Sequence, residues 1–338
     1  MDTVIVSPAQ EEASSEPKQL TVREYALKSI QKNFHKSIKH KKDVLADQDP
    51  EGIHQMRVGM RRLRTALAVF ADFVSLPSNL DREIAKLSKG LGSVRDLDVL
   101  GMWFSDYKTT SELNTEEEEH IAILLGQLDR QRKKQFKLMD RSLKGKRYLQ
   151  FVEELQGWLD RPVFLPGAEW PIQWVLPDLL LPLINRFLLH PGWLATTSGN
   201  LENWTPTIDL SASAVNVYLA KYGSLLHDLR KQTKRVRYQT EFFLEFYDAY
   251  YNEQTHEFRS IQDLLGQLQD SQVLNDFLTQ KIGQDWNVQI PSLNLHFRQQ
   301  RLDLWLQWQT IQQKYLKPDV RERLRLLVER PQASRQSV

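Results

Sequence analysis

Apolar residues recur every three or four positions along most of the chain, which is the spacing of one buried helix face. The predicted helices cover about 21–45, 50–76, 79–90, 95–108, 115–143, 147–160, 211–250, 254–266, 270–282, 293–315 and 319–330. No sustained run of alternating β-branched residues interrupts this pattern. The sequence therefore predicts an all-α protein.

Capping signals set two of the first boundaries. Thr21 followed by Glu24 has the form of a capping box, in which each side chain binds the other residue's backbone N–H. Asp49 before Pro50 supplies an N-cap and a proline in the first turn, where its missing N–H costs nothing. Both pairs predict that a helix begins just after them.

Later signals predict further helix starts. Thr115 followed by Glu118 again has the form of a capping box. Asp96, Asp98 and Asp270 each follow a Leu-Gly pair, and we expect them at helix N-termini, where the helix macrodipole favours negative charge.

The chain divides into two helical halves joined by a segment of different composition. The halves are expected over 20–160 and 209–330, and residues 161–208 between them are rich in Pro and Trp. So many large apolar residues favour an ordered connection over a flexible linker. Residues 1–19, which lack an apolar period, are expected to form a disordered tail, and 331–338 a C-terminal tail.

One helix in each half carries the same cluster of cations. The first cluster reads His54-x-x-Arg57-x-x-x-Arg61-Arg62-x-Arg64, and the second reads His227-x-x-Arg230-x-x-x-Lys234-Arg235-x-Arg237. On a helical wheel, positions 54, 57, 61 and 64 lie within roughly 80° of one another. No Asp or Glu occurs between Gly52 and Ala71, so these cations lack a carboxylate at helical spacing. Their counter-charge must come from outside the helix.

The similarity of the halves extends beyond these clusters. Leu91-Gly92-x-x-x-Asp96 returns as Leu265-Gly266-x-x-x-Asp270, and Phe70 corresponds to Phe243. Matching order over two long segments predicts a tandem duplication. Duplicated halves commonly face each other across a pseudo-two-fold axis, which would bring both basic clusters toward one shared groove, although the sequence shows only that the halves match and not how they dock.

Composition limits the chemistry of these clusters. The formal net charge of the 338 residues is only +2, so the basic character is local. The absence of Cys excludes disulfides and thiolate metal sites and fits a reducing compartment. No His-x-x-x-His pair occurs, and the arginines would repel a divalent cation unless a polyanion accompanied it. We therefore expect no metal site and no cofactor.

Neither secretion nor a membrane span is expected. The N-terminus lacks the basic and apolar regions of a signal peptide. The most apolar stretch, 175–189, contains Pro177, Asp178, Pro182 and Arg186, which makes it too short and too interrupted to span a bilayer. A cytoplasmic location is the resulting expectation.

Other basic residues recur at helical spacing. They are Lys28, Lys32, Lys36 and Lys39 in the first helix, Lys86 and Lys89 before Leu91, and Arg130, Lys133, Lys134 and Lys137 after the acidic run 116–119. The first series has no counterpart in the other half and is weaker evidence for anion contact. The last series is more typical of a solvated helix face, because the acidic run just before it offers partners.

These residues resemble the conserved histidine α-helical domain family, known as CHAD. The resemblance rests on both cation clusters, on Leu91-Gly92-x-x-Arg95-Asp96-x-Asp98-Val99-Leu100, and on Tyr238-x-x-Glu241-Phe242-Phe243 after the second cluster. It covers roughly residues 21–330. It implies two helical bundles around a basic pore that binds inorganic polyphosphate, often at polyphosphate granules, without catalysis. By this resemblance the polymer would contact His54, Arg57, Arg61, Arg62, Arg64, Lys86, Lys89, His227, Arg230, Lys234, Arg235 and Arg237, with Lys28 and Lys32 as further candidates.

The two halves are not equivalent. Ser260 and Asp263 occupy the positions of Lys86 and Lys89, and Gln269 that of Arg95. The first half is therefore expected to hold the polymer more tightly.

Three functions fit the sequence to different degrees. Non-enzymatic binding of polyphosphate is the leading hypothesis, with the two histidines tightening it near pH 6. A nucleic-acid-binding protein is the alternative, although only Tyr238 lies near either cluster as a stacking platform. An enzyme that processes phosphate polymers is less favoured, because no carboxylate cluster for Mg²⁺ is evident from the spacing.

Overall fold

Nearly all of the fold is helical. The computed structural model describes residues 19–199, 204–206 and 211–332. Its helices are α1 Val22–Lys39, α2 Lys41–Ala46, α3 Pro50–Val69, α4 Leu80–Thr110, α5 Thr115–Lys144, α6 Lys146–Asp160, α7 Ile172–Leu188, α8 Ala212–Thr240, α9 Ala249–Lys281, α10 Trp286–Gln289, α11 Pro291–Leu316 and α12 Pro318–Glu329. Short 3-10 helices cover Pro166–Glu169, Pro191–Leu194 and Glu241–Phe246, and β1 (Thr197–Gly199) pairs antiparallel with β2 (Trp204–Pro206). The all-α prediction is confirmed, while the predicted tails lie outside the described residues except at their inner ends.

Local capping chemistry explains where the first helices begin. The capping box of Thr21 and Glu24 is present at the start of α1, and the Asp49 carboxylate accepts the backbone N–H of Glu51 at the start of α3. The third predicted box is wrong by one residue, because Asn114 caps α5 together with Glu117. His40 divides the first predicted helix into α1 and α2.

The Leu-Gly pairs do not end helices. The two helices predicted over 79–108 form the single helix α4, and the two predicted over 254–282 form the single helix α9. Asp96, Asp98 and Asp270 are therefore inside helices, and their predicted N-terminal placement is wrong. A helix interior tolerates one glycine at a cost of about 0.5–1 kcal/mol, which the burial of neighbouring leucines outweighs.

The connection between the halves contains helix α7 despite Pro177 and Pro182 inside it. This helix packs against α8 and α12 and buries a mostly apolar face. The stretch Ile172–Leu194 is long and apolar enough to cross a membrane by length and composition alone, yet 44% of its most apolar window is buried within the protein. The prediction that this stretch is too short and too interrupted to span a bilayer is therefore not supported by its length and composition.

Corresponding helices of the two halves meet at the centre. Helix α3 packs against α1 and α4, α8 packs against α9 and α11, and α3 also contacts α8. Phe70 and Phe243, at matching positions of the predicted repeat, have ring centroids 6.3 Å apart, and Tyr25 contacts both rings. Matching residues thus face each other, as a pseudo-two-fold arrangement requires, while the duplication itself stays a prediction.

Two hydrophobic cores flank the middle of α4 and α9. The larger core includes Val94 and Leu268, and the smaller one includes Leu97 and Leu274. Along α4, Asp96 lies between Val94 of the larger core and Leu97 of the smaller one. Along α9, Asp270 lies between Leu268 and Leu274 in the same way. The fold therefore places a polar layer between two apolar ones, where α3 and α8 also bring their cations.

Candidate anion-binding site

Two helices from different halves bring four cations together. Arg57 and Arg61 lie on α3, and Arg230 and Lys234 lie on α8. Their charges act on one another across the contact between the two helices. We call these four residues, with Asp96 and Asp270, the central charged cluster.

The pKa of Lys234 shows that bringing these cations together is electrostatically unfavourable. Burial, together with the positive charges of Arg230, Arg61 and Arg57, lowers its pKa to about 8, and Asp96 only partly opposes this. A lysine in water has a pKa near 10.4. In the free protein the ammonium form is therefore strained, and a nearby anion would relieve that strain.

Tyr238 forms the floor beneath two of the arginines. The guanidinium carbon of Arg61 lies 4.4 Å from the centre of its ring, and that of Arg237 lies 5.2 Å from it. The tyrosine is only 8% exposed. Burial and the charges of Arg237 and Arg57 lower the pKa of Arg61, with Tyr238 opposing. A cation held over an aromatic face keeps its in-plane N–H donors free for another partner.

Several buried donors have no partner in the described part of the chain. They are Nε of Arg61 and Nε of Arg230, and Nδ1 of His227 is also without a partner. A buried donor without an acceptor costs about 1–3 kcal/mol, so such groups are rare unless a ligand supplies the acceptor. Burial and the neighbouring cations Lys231 and Arg230 lower the pKa of His227, which keeps its imidazole neutral at pH 7.

A glycine of each Leu-Gly pair seats one arginine. A Cβ added at Gly92 would lie 3.8 Å from the Arg57 guanidinium, and one added at Gly266 would lie 3.2 Å from Nη2 of Arg230. At Gly266 the absence of a side chain lets the Arg230 guanidinium lie against α9, whereas at Gly92 a methyl group would make an ordinary contact with Arg57. The fit is closer in the second half.

Some cations of the first half already form ion pairs with carboxylates. Nη1 of Arg57 donates to Asp96 at 3.0 Å, and Nε of Arg64 donates to Asp81 at 2.9 Å. Lys86 is paired with Glu83 at 2.8 Å. The first two pairs join α3 to α4, the third lies within α4, and an incoming anion must compete with all of them.

Asp270 is less committed. It reaches solvent, but the surrounding walls remove part of its hydration and raise its pKa, with the charge of Asp96 adding to the effect and Arg230 and Lys234 opposing it. Its side chain is exposed, and no hydrogen bond of its carboxylate is found within the described residues.

The remaining predicted contacts lie around the cluster. Arg62 faces α1. Burial lowers the pKa of Lys36 on that helix, and the charges of Arg62 and Lys32 lower it further. Arg62 and Lys32 also line a cavity of about 270 Å³ between the halves. Arg237 is paired with Glu241 at 2.9 Å. The structure does not bring Lys28, Arg235, Lys86 and Lys89 into the central charged cluster, and His54 lies half-buried one turn before Arg57.

Sequence reasoning missed the roles of five residues. Gly92 and Gly266 seat arginines, Asp96 and Asp270 balance the charge, and Tyr238 supports Arg61. The repeated spacing Leu-Gly-x-x-x-Asp was the available signal, since it recurs in step with the cation clusters. Locally this spacing favours a helix boundary, because glycine and aspartate are common at such positions.

The chemistry of this arrangement is that of anion binding. Guanidinium groups bind phosphate or carboxylate oxygens through charge-assisted hydrogen bonds. No group of three or more His, Asp or Glu side chains that could hold a metal ion occurs among the described residues. Fold and site thus define an all-helical protein with a cationic centre between two similar halves.

The comparisons agree with that class. Residues 28–279 match the model of the CHAD domain, and the chain belongs to the CHAD family, which is associated with inorganic polyphosphate. The crystal structure of the CHAD domain from the plant Ricinus communis superposes with a TM-score of 0.59 at 20% identity, covering 96% of this chain and 99% of that chain. PptA from Streptomyces chartreusis superposes with a TM-score of 0.58 at 14% identity, covering 86% and 100%. At these identities the likeness concerns the fold, and no curated protein sequence matches.

Proposed function

We propose that the protein binds inorganic polyphosphate at the central charged cluster, without cleaving it. The observation that carries this proposal is the meeting of Arg57, Arg61, Arg230 and Lys234 between the two halves, where burial and then the neighbouring cations lower the pKa of Lys234. A phosphate chain would supply the counter-charge that these residues lack. Because the cations are already held in place, little side-chain entropy is lost on binding.

The extent of the cluster favours a polymer over a single anion. Arg57 to Arg64 spans about 10 Å along α3, and Arg230 to Lys234 adds a second wall on α8. An extended polyanion contacts both walls at once. Several phosphates bound in series also release several counterions, which makes the affinity strongly dependent on salt.

The environment of Tyr238 weighs against nucleic acid as the main ligand. Base recognition in single strands depends on aromatic rings whose faces are free for stacking. The ring of Tyr238 is buried beneath Arg61 and Arg237 and offers no such face. Contacts at the cluster are thus restricted to phosphate groups.

A binding role without catalysis, in the cytoplasm and at polyphosphate granules, completes the proposal. Hydrolysis or transfer of phosphate normally depends on carboxylates that hold Mg²⁺ beside the reacting group. Asp96 and Asp270 are surrounded by cations instead. Divalent cations would reach this site only together with the polymer.

Isothermal titration calorimetry with long-chain polyphosphate at low salt tests the proposal. The wild-type protein should bind tightly, and the variant Arg57→Glu, Arg61→Glu, Arg230→Glu, Lys234→Glu should lose that tight binding. A control variant reverses four exposed cations on other elements: Arg186→Glu, Arg298→Glu, Lys317→Glu and Arg330→Glu. It carries the same net charge and should still bind. Absence of wild-type binding, or equal loss in both variants, overturns the proposal.

Competition and incubation separate the other two functions. RNA at equal phosphate concentration should fail to displace polyphosphate, and displacement would favour nucleic acid as the ligand. Prolonged incubation with Mg²⁺ should release no phosphate from the polymer, and release would show an enzyme.

A further inference from the structure

One face of helix α5 packs against the rest of the protein, and the opposite face is exposed to solvent. Arg132 points inward, where Nε donates to Asp98 at 2.7 Å and Nη1 donates to Asp47 at 2.7 Å. The opposite side of the same helix carries a straight line of cations. We call it the outer row: Arg130, Lys134, Lys137 and Arg141. At 100° per residue these four positions lie within about 60° of one another and extend over about 16 Å.

The outer row lacks the carboxylate partners that the sequence led us to expect. Within the described residues none of its four members forms an ion pair. Asp129 is paired with Lys133 and Asp140 with Lys144, each at 2.7 Å. No carboxylate of the acidic run 116–119 is paired with the outer row within the described residues.

Two carboxylates of that acidic run contact the helix start and neighbouring elements. Glu117 completes the cap with Asn114 and accepts the backbone N–H of Ser292 at 2.9 Å, while Glu118 lies 3.9 Å from Lys108. The expected neutralisation of this face by 116–119 is therefore wrong, since those carboxylates lie more than two helical turns before Arg130.

Two shallow grooves run beside the outer row. They measure about 440 and 470 Å³. One is lined by Gln127, Arg130, Gln131, Lys134, Gln135, Gln280 and Lys281, and the other by Arg130, Lys133, Lys134, Lys137, Leu138 and Arg141. Neither lining contains an aromatic ring for stacking on a base, and Leu138 is the single apolar residue, which is too little for a protein interface core. Cations with amide donors beside them suit phosphate oxygens.

We propose that the outer row is a second polyphosphate-binding surface, so that one molecule holds two segments of polymer. The inference rests on the proposed function for the identity of the ligand. The two surfaces are separate, because α4 packs between α3 and α5 and the inward Arg132 fixes the outer row on the far side of α5. The outer row binds more weakly, since its side chains are exposed and must be ordered on binding.

Calorimetry with short polyphosphate distinguishes the two surfaces. The wild-type isotherm should show a tight class of sites and a weak class. The variant Arg130→Gln, Lys134→Gln, Lys137→Gln, Arg141→Gln should lose the weak class and keep the tight one. The matched control Arg186→Gln, Arg298→Gln, Lys317→Gln, Arg330→Gln removes the same charge and should keep both. A single class in the wild type, or a weak class that survives in the outer-row variant, overturns the inference.

Salt dependence and bridging give independent readouts. With four cations involved, a fourfold rise in salt should weaken the weak class roughly 50-fold. Long-chain polymer should cause turbidity with the wild-type protein and the control but much less with the outer-row variant; equal turbidity in all three counts against the inference. Failure of the proposed function has a different signature, namely a tight class that persists in the variant reversed at Arg57, Arg61, Arg230 and Lys234.

Discussion

The two walls of the central charged cluster have similar sequences but different states. On the first wall, Arg57 is paired with Asp96 of α4. The flanking Arg64 and its second-half counterpart Arg237 are both paired with carboxylates, so they do not distinguish the walls. On the second wall, no ion pair of Arg230 or Lys234 is found among the described residues, and the pKa of Lys234 is lowered to about 8. The number of cations in a motif is therefore a poor measure of the charge available to a ligand. Carboxylates on a neighbouring helix decide how much of it is free.

This difference changes the expected asymmetry of binding. The sequence alone favours the first half, because Lys86, Lys89 and Arg95 have no basic counterparts in the second. In the structure Lys86 is paired with Glu83. We therefore now expect the second wall to contribute more to polymer affinity per residue.

Removing the free cations should have the largest effect. The double variant Arg230→Gln, Lys234→Met should weaken polyphosphate binding about 100-fold, since each charge-assisted contact contributes about 1.5 kcal/mol or more. The matched variant Arg57→Gln, Arg64→Gln removes two cations that already have partners and should weaken it less than tenfold. Calorimetry at fixed salt measures both. Equal losses would show that the carboxylates do not control availability.

A pH series should give the next largest effect. Polymer binding favours charged Lys234. Burial and the charges of Arg230, Arg61 and Arg57 lower its pKa to about 8 in the free protein, with Asp96 opposing. Affinity should therefore fall about tenfold between pH 7 and pH 9, as the free protein loses this proton.

A matched variant identifies the titrating group. Lys234→Arg keeps its charge over that range and should flatten the profile. Because the pKa of His227 is lowered, the contribution expected from His227 near pH 6 is displaced to lower pH. A wild-type profile that is flat from pH 7 to 9 contradicts the role given to Lys234.

Freeing a first-wall cation should strengthen binding. Asp96→Asn removes the carboxylate that pairs with Arg57 and keeps a side chain of the same shape. We expect affinity to rise several-fold, a modest gain because the pair is partly exposed and screened by solvent. Fluorescence polarisation with labelled polyphosphate is sensitive enough to measure it. Weaker binding by this variant would mean that Asp96 positions Arg57 for the polymer.

The glycine seats provide the smallest and most specific comparison. Gly266→Ala would place a methyl group 3.2 Å from Nη2 of Arg230 and should weaken binding a few-fold. At Gly92 the nearest guanidinium atoms lie at 3.8 Å, an ordinary contact, so Gly92→Ala should leave binding unchanged. Both changes favour the helix by about 0.5–1 kcal/mol, and thermal unfolding controls for this. Equal affinities in the two variants would refute the unequal fit.

Most of the helices and both cation clusters were predictable from the sequence, because the apolar period and the charge spacing are local properties. The capping box at Thr21 and the proline start at Pro50 were predicted correctly for the same reason. The continuity of α4 and α9 was not, since packing of distant segments outweighs the local preference of Gly92 and Gly266 for a helix end.

The state of each cation was also beyond the sequence. Whether Arg57 or Arg230 is paired depends on which side chain of a packed neighbour lies within about 3 Å, and helical spacing within one segment does not contain that information. The same holds for α5, where Arg132 and Arg130 are close in sequence but face opposite sides of the helix. Tertiary packing separates a structural cation from an available one.

A crystal structure of the protein soaked with polyphosphate tests the central claim most directly. We predict a phosphate chain between α3 and α8, with oxygens accepting hydrogen bonds from Nε of Arg61 and Nε of Arg230 and lying beside Nζ of Lys234. A polymer bound elsewhere on the surface, with these two Nε atoms still lacking an acceptor, would contradict it.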